Sequence, residues 1–157
     1  GDPAPTDGNP PPLRPQGLRS VQELEKGKVM TENAEARAGF ESGFRKTFTS
    51  DPQKRDYAGA NQDLDRALTL DPNFAAAYRT RGYAKFNLGV NVQDAVSDYL
   101  KAVELRPDYG EAHYALAFMY AMPGQGDPAK GAVHFKRAME LGVPDERELK
   151  EKFYSNP

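Results

Sequence analysis

The most constraining feature of this chain is that it repeats itself. Laid over Asp108 to Val143 at an offset of 35 residues, the segment Asn73 to Pro107 puts Phe74 on Tyr109, Ala77 on Ala112, Tyr78 on His113, Gly82 on Ala117 and Tyr83 on Phe118. Aromatic and small side chains recur together at helical spacing, so the two stretches are one helix built twice. Downstream, Ala60, Leu64, Ala67 and Leu70 map onto Ala95, Tyr99, Ala102 and Leu105, then onto Gly131, Phe135, Ala138 and Leu141. A second type of helix is therefore present in three copies.

Pro and Gly fall mainly between these apolar segments, and no run of strand-type alternation competes with the helical period, so the class is all-α. Pro72 and Pro107 follow helix ends that they cannot continue, with Asp71 and Arg106 before them biased away from the helical region. The recurring small residues have a packing meaning. Gly82 and Ala117 let the first helix of a pair approach its partner, and Ala60, Ala95 and Gly131 keep the second helix close enough to interlock.

An aromatic residue, a small residue after it, Ala-x6-Ala around an aromatic or Leu, and a closing Pro together resemble the tetratricopeptide repeat, over roughly Thr31 to Leu141. The resemblance implies a right-handed α-solenoid of antiparallel helix pairs, with repeats at about 31–72, 73–107 and 108–143. The family unit is about 34 residues long; the additional residues here sit in the turns Gly89-Val90-Asn91-Val92 and Met122 to Pro128. Arg81 stands where the family usually has Leu. The first helix of the first repeat fits poorly, with either Gly39 or Gly43 as its close-approach glycine, and the turn Thr49 to Asp56 is long. Pro144-Asp145-Glu146-Arg147 has the proline and acidic first turn that open a helix, and Leu149 with Phe153 gives it an apolar stripe, predicting a C-terminal cap over 144–154.

Only 38% of the 157 residues are apolar, which points to one non-globular stretch. It is found at the start, where GDPAPTDGNPPPLRPQ carries Leu13 as its sole large apolar side chain, and residues 1–17 read as a disordered or polyproline-like tether. Residues 18–157 then form the repeat domain. Ser20 can cap a short helix through Val21 and Leu24, weakened by Gly27 on the way to Val29 and Met30. With 21 Lys and Arg against 23 Asp and Glu, no global field draws the chain to nucleic acid or anionic lipid. No Cys is present, so disulfides and thiol chemistry are absent. The sequence shows neither a signal peptide nor a membrane span as it stands, and Gly1 reads as a processed end or an added residue. A Pro-, Gly- and Asp-rich tether before a Cys-free domain resembles an exported protein or lipoprotein after removal of its leader, a cytoplasmic protein being the alternative.

His113 occupies the recurring aromatic slot and His134 lies on a second-type helix, with none of the short spacings of a zinc motif, so a structural role is expected for both. Gly124-Gln125-Gly126 lacks the Lys and Ser or Thr of a phosphate loop. No Gly-x-Ser-x-Gly elbow occurs. The expectation is a protein that is not an enzyme and has no catalytic residue, metal site or cofactor.

What remains is the inner surface, which the family resemblance assigns to the first helices: Arg79, Tyr83, Phe86, Asn87, Tyr114, Phe118 and Met122. Equivalent aromatic residues, Tyr83 and Phe118, with Arg79 and Tyr114 a turn earlier, would make a ladder with a cation at one end, of the kind that anchors partners. The alternative is that the cap or the N-terminal segment covers these rings and makes them core. Some members of the family hold terminal carboxylates with Lys and Asn pairs. The matching positions here carry Arg79 with Tyr83 and Tyr114 with Phe118, so the expected partner is an apolar peptide or protein segment, with Arg79 able to pair one acidic side chain. Lys101, Glu104, Lys136 and Glu140 are assigned to a wet convex face. The leading function is an adaptor or scaffold that binds in the concave groove. Self-assembly into homo-oligomers and service as an accessory domain of a larger protein are the alternatives.

Overall fold

A computed structural model describes residues 28–89, 91–124 and 126–154. Among the described residues the regular structure is helical throughout, without a strand. The helices are α1 (Ala34–Phe48), α2 (Tyr57–Leu70), α3 (Ala75–Leu88), α4 (Val92–Leu105), α5 (Gly110–Tyr120), α6 (Pro128–Glu140) and α7 (Leu149–Tyr154). They pack as the pairs α1/α2, α3/α4 and α5/α6, each stacked on the next, with α7 against α6. The result is a short solenoid of antiparallel helix pairs, lying within 31–72, 73–107 and 108–143. The expected tether and most of the segment around Ser20 lie outside the described residues. Val29 and Met30 are described and non-helical; Val29 is buried, and its carbonyl accepts the Ala76 N–H at 2.9 Å, at the start of α3.

Local chemistry sets the ends. Asn33, Asp56, Asn91 and Asp127 cap α1, α2, α4 and α6 with side-chain oxygens that accept free first-turn amides. By contrast, α3 and α5 begin at the buried rings of Phe74 and Tyr109, which make no side-chain cap. In their place a residue one turn in reaches back to the closing proline: the Tyr78 hydroxyl donates to the Pro72 carbonyl at 2.9 Å, and His113 Nε2 meets the Pro107 carbonyl at 2.7 Å. Two different side chains in one repeat slot thus make one bond. Gly89, at φ 73°, ends α3 in the left-handed conformation that glycine adopts without strain.

The close approach within each pair decides the register of the first repeat. A Cβ on Gly82 would lie 2.8 Å from Tyr99 Cε2 and 3.2 Å from the Ala95 carbonyl. A Cβ on Gly43 would lie 2.8 Å from Leu64 Cγ and 3.2 Å from the Ala60 carbonyl. Leu64 and Ala60 are the repeat equivalents of Tyr99 and Ala95, so Gly43, and not Gly39, matches Gly82. Gly39 also faces α2, where an added Cβ would lie 3.2 Å from the Asp63 carbonyl. At Gly131 the space a Cβ would fill is taken by Phe153 of the cap, whose Cζ would stand 2.5 Å away.

With that register, one slot on the second helices becomes visible. Asp63 accepts Ser42 Oγ at 2.7 Å and Lys46 Nζ at 2.9 Å. Its equivalent, Asp98, only 4% exposed, accepts Arg81 through two bonds of 2.9 and 2.7 Å and lies 3.2 Å from Lys85. Ser42 and Lys46 are the counterparts of Arg81 and Lys85. Arg81, the residue that departs from the usual Leu, also reaches Asp65 on α2 at 2.9 Å, so one guanidinium joins α2, α3 and α4. A buried carboxylate needs such pairing, because removing one partner leaves a charge in a poor dielectric.

The cap differs from its expected form. The helix starts at Leu149 rather than at Pro144, because the Asp145 carboxylate accepts the N–H groups of Leu149 and Lys150 at 2.9 and 3.0 Å and the Tyr114 hydroxyl at 2.7 Å. The stretch before α7 is thereby pinned as a loop across α5.

The fixed ring of Tyr99, 1% exposed, cannot withdraw from Gly82. Gly82→Ala is therefore expected to destabilise the domain by about 1–3 kcal/mol through overpacking, read from the denaturant midpoint. The same change at Gly124, where a Cβ meets nothing within 4 Å, is expected to act only through its positive φ of 82°.

Candidate functional site

Three first-type helices, α1, α3 and α5, present equivalent positions to one side of the solenoid. In the register above these are Phe40, Arg79 and Tyr114; Phe44, Tyr83 and Phe118; and Phe48, Asn87 and Met122. Phe40, Phe44 and Phe48 were not singled out in the sequence because the first repeat had no register, although their spacing of four residues on one helical face was the available signal.

The structure brings the sequence-selected residues into two ring groups. In the first, Phe48 of α1 stands between Tyr83, at 4.8 Å between ring centres, and the Arg79 guanidinium, whose Cζ lies 4.9 Å over the Phe48 ring. Tyr57 approaches Tyr83 from the far side at 6.5 Å, and Phe44 packs on Phe48 at 4.9 Å. In the second, Phe86 meets Phe118 edge-on at 5.9 Å, and Arg147 from the cap lies over Phe118 at 5.4 Å. Arg79 thus stacks on the preceding helix and does not stand at the end of a ladder.

Exposure divides the set. Arg79, Tyr83, Tyr114 and Phe118 are buried, at 5%, 5%, 0% and 9% exposure. Phe86, Asn87, Met122, Phe44 and Phe48 are half-buried. Asn87 turns its amide back to donate to the Tyr83 carbonyl at 2.9 Å. Tyr114 is sealed, its hydroxyl donating to Asp145 and accepting the Arg147 N–H at 3.0 Å, so its part in the site is to hold the cap loop that carries Arg147.

The half-buried rings open into two pockets. One, of about 230 Å³, is walled by Phe118, Ala121, Met122, Pro123 and Leu149 with Arg147 and Lys152 from the cap. The other, of about 270 Å³, is formed by Phe44, Phe48, Arg45 and Thr49 on α1. Between them lies the Tyr83 phenol. Burial pushes its pKa up to about 12, Tyr57 adds to this, and the guanidinium groups of Arg79, Arg55 and Arg147 oppose it. Cations from three separate parts of the chain therefore act on one point of the groove. Stacked aromatic surface with a cation set on it is suited to holding side chains, and nothing here arranges a nucleophile against a base.

The histidines, which no sequence spacing linked, touch across the α5/α6 pair, with Nδ1 atoms 3.0 Å apart. Because His113 Nε2 faces a carbonyl, it carries the proton, and His113 Nδ1 then accepts from His134 Nδ1. Tyr120 stacks on His134 at 6.0 Å. His134 occupies the slot held by Asp63 and Asp98 in the other pairs. Burial lowers both histidines, His113 having Arg137 nearby, and holds His134 at about 4 with the help of His113.

No family model matches the chain. Curated relatives include a STIP1 homolog of Dictyostelium discoideum, 33% identical over 84 residues covering 54% of this chain and 14% of that protein. Anaphase-promoting complex subunit 3 of Schizosaccharomyces pombe is 28% identical over 88 residues, covering 56% and 13%. The TPR repeat-containing thioredoxin TTL4 of Arabidopsis thaliana is 35% identical over 78 residues, covering 50% and 11%. The chain thus spans well under a fifth of the length of these relatives. Among solved structures, the first TPR of Spaghetti (RPAP3) bound to the HSP90 peptide SRMEEVD superposes with a TM-score of 0.65 at 19% identity, over 80% of this chain and 92% of that one. A mutant of MamA gives a TM-score of 0.58 at 25% identity, over 78% and 83%. Among the described residues no helix is long and apolar enough to cross a membrane.

The histidine pair sets a pH expectation. Histidines held neutral in the fold, against about 6.5 when unfolded, bind fewer protons folded than unfolded below that value. Their contribution is complete above about pH 6.5 and is lost as pH falls towards 4. Denaturant midpoints measured from pH 7.5 down to 4.5 should fall, and His134→Asn should flatten that slope. Asp63 and Asp145, whose bonds outweigh the effect of burial and hold them below the usual carboxylate value, act in a separate, lower window.

Proposed function

The chain belongs to the tetratricopeptide-repeat proteins, and from that premise we propose that it is a peptide- or protein-binding module whose ligand lies along α1, α3 and α5. The observation that carries this reading is the row of half-buried apolar side chains, Phe44, Phe48, Phe86 and Met122, that ends in a pocket at each extremity. Apolar area in a concave setting, with a few polar groups to orient the occupant, is the usual composition of a recognition site. Arg79, Tyr83 and Phe118 form its floor, Asn87 lies on its wall, and Tyr114 supports it through the cap.

The RPAP3 domain, whose fold this chain shares, is described with a bound HSP90 peptide. The Lys and Asn pairs that hold a terminal carboxylate in some members are missing, so affinity comes mainly from buried apolar area. The role is that of an adaptor, with no catalytic step and no cofactor.

Peptides selected from a random-sequence display library on the wild-type chain should lose about tenfold or more in affinity for Phe86→Asp and Met122→Glu. They should retain it for Lys136→Glu on the opposite face, with all three variants folded by circular dichroism. Equal binding by all three would sink the groove reading.

A further inference from the structure

The buried carboxylate Asp98 shows how this chain treats buried charge: Arg81 and Lys85, 19% and 22% exposed, share it. Arg79 is treated differently. It is 95% buried, yet among the described residues no carboxylate or carbonyl accepts from it; its guanidinium lies over the face of Phe48 and acts on the phenols of Tyr83 and Tyr99. A charge taken out of water without an acceptor is costly, and chains seldom keep one unless something else pairs it.

The position of the group says what that is. None of the Arg79 nitrogens is among the sealed polar atoms that lack partners, so its small residual exposure lies at the charged end, beside the Phe48 ring that it covers. Stacking on Phe48 fixes the plane of the guanidinium and leaves its N–H edge free to meet a planar acceptor through two bonds. On one side Phe48 leads into the pocket it forms with Phe44. On the other, Arg147 acts on the same Tyr83 phenol as Arg79 and also lines the Phe118–Met122 pocket. The order along the groove is therefore apolar pocket, cationic centre, apolar pocket.

We propose that the occupant is a segment of a partner protein in which an Asp or Glu side chain stands between two bulky apolar side chains, its carboxylate paired by Arg79. This rests on the groove reading above and adds to it the identity of the central contact. Recognition is of an internal side chain, so the segment need not lie at a chain end. Charge complementarity sets the choice: an uncharged apolar segment would leave Arg79 buried and unpaired in the complex, at lower affinity.

The test uses the full 157-residue chain and random dodecapeptides displayed on phage. Wild type is expected to select peptides with an acidic residue flanked by apolar ones. In a synthetic, fluorescein-labelled consensus peptide, changing that residue to its amide should weaken binding to wild type roughly tenfold or more and leave binding to Arg79→Met nearly unchanged. Arg79→Met keeps stem area over Phe48. If it does not fold, Arg79→Lys, which keeps the charge and loses the fork, enters the same cycle and should show a reduced coupling. Groove-dependent peptides without an acidic residue, or an amide change felt equally by wild type and variant, would overturn the proposal and leave the groove reading standing. Absence of any groove-dependent peptide would overturn both. Displacement of the labelled peptide by a synthetic copy of residues 1–17 at similar affinity would assign the groove to this chain's own segment and overturn the partner.

Discussion

The contact on which the solenoid depends is the one between a missing side chain and a large apolar one. At Gly82 the backbone of α3 comes within van der Waals reach of Tyr99, and at Gly43 the backbone of α1 does the same with Leu64. A helix pair brought this close shares one interlocked surface, and the first helix cannot rotate about its axis without driving a turn into its partner. That fixed rotation aims the opposite face of each first helix. Phe44, Tyr83 and Phe118 share a direction because the residue just before each of them, Gly43, Gly82 or Ala117, is held against a second helix. The groove is thus a by-product of tight packing on its far side.

Stability and the groove meet at the C-terminal end. The buried Asp98 ties α4 to α3 through Arg81 and Lys85, and Arg81 carries the link on to Asp65 of the preceding pair. The cap closes the last pair by inserting Phe153 beside Gly131 and by holding its loop through Asp145 and Tyr114. The cap also supplies Arg147, Leu149 and Lys152 to a groove pocket, so the element that shields the end of the repeats also builds part of the proposed site. Groove and end are therefore coupled: a change that loosens Tyr114 from Asp145 would disturb the pocket without touching its walls.

Much of this could be read from the residues. The equivalence of Gly82 with Ala117 and of Ala60 with Ala95 is carried by residue size, which sequence displays directly, and it was enough for the helix pairs and their order. What sequence did not display were relations that need a register or a third dimension. Gly39 and Gly43 are one helical turn apart and both face α2, so size alone could not separate them, and the Phe40, Phe44 and Phe48 row stayed out of the site. Arg81 registered as a departure because its acceptors lie on two other helices. His113 and His134 come together only when α5 and α6 fold back on each other. Burial of Arg79, Tyr83 and Phe118 depends on neighbours from three elements, which no single helix announces.

The slot filled by Asp63, Asp98 and His134 has a consequence for how the array is ordered. The first two holders demand a cation from the neighbouring first helix, and they find Lys46 and Lys85; the third meets Tyr120, a ring that stacks on imidazole and offers no charge. Exchanging first helices between pairs would set an ammonium against a neutral imidazole at one site and strand an aspartate at the other. Units that look interchangeable by shape thus carry a chemical address, and the chain has one workable arrangement of its modules.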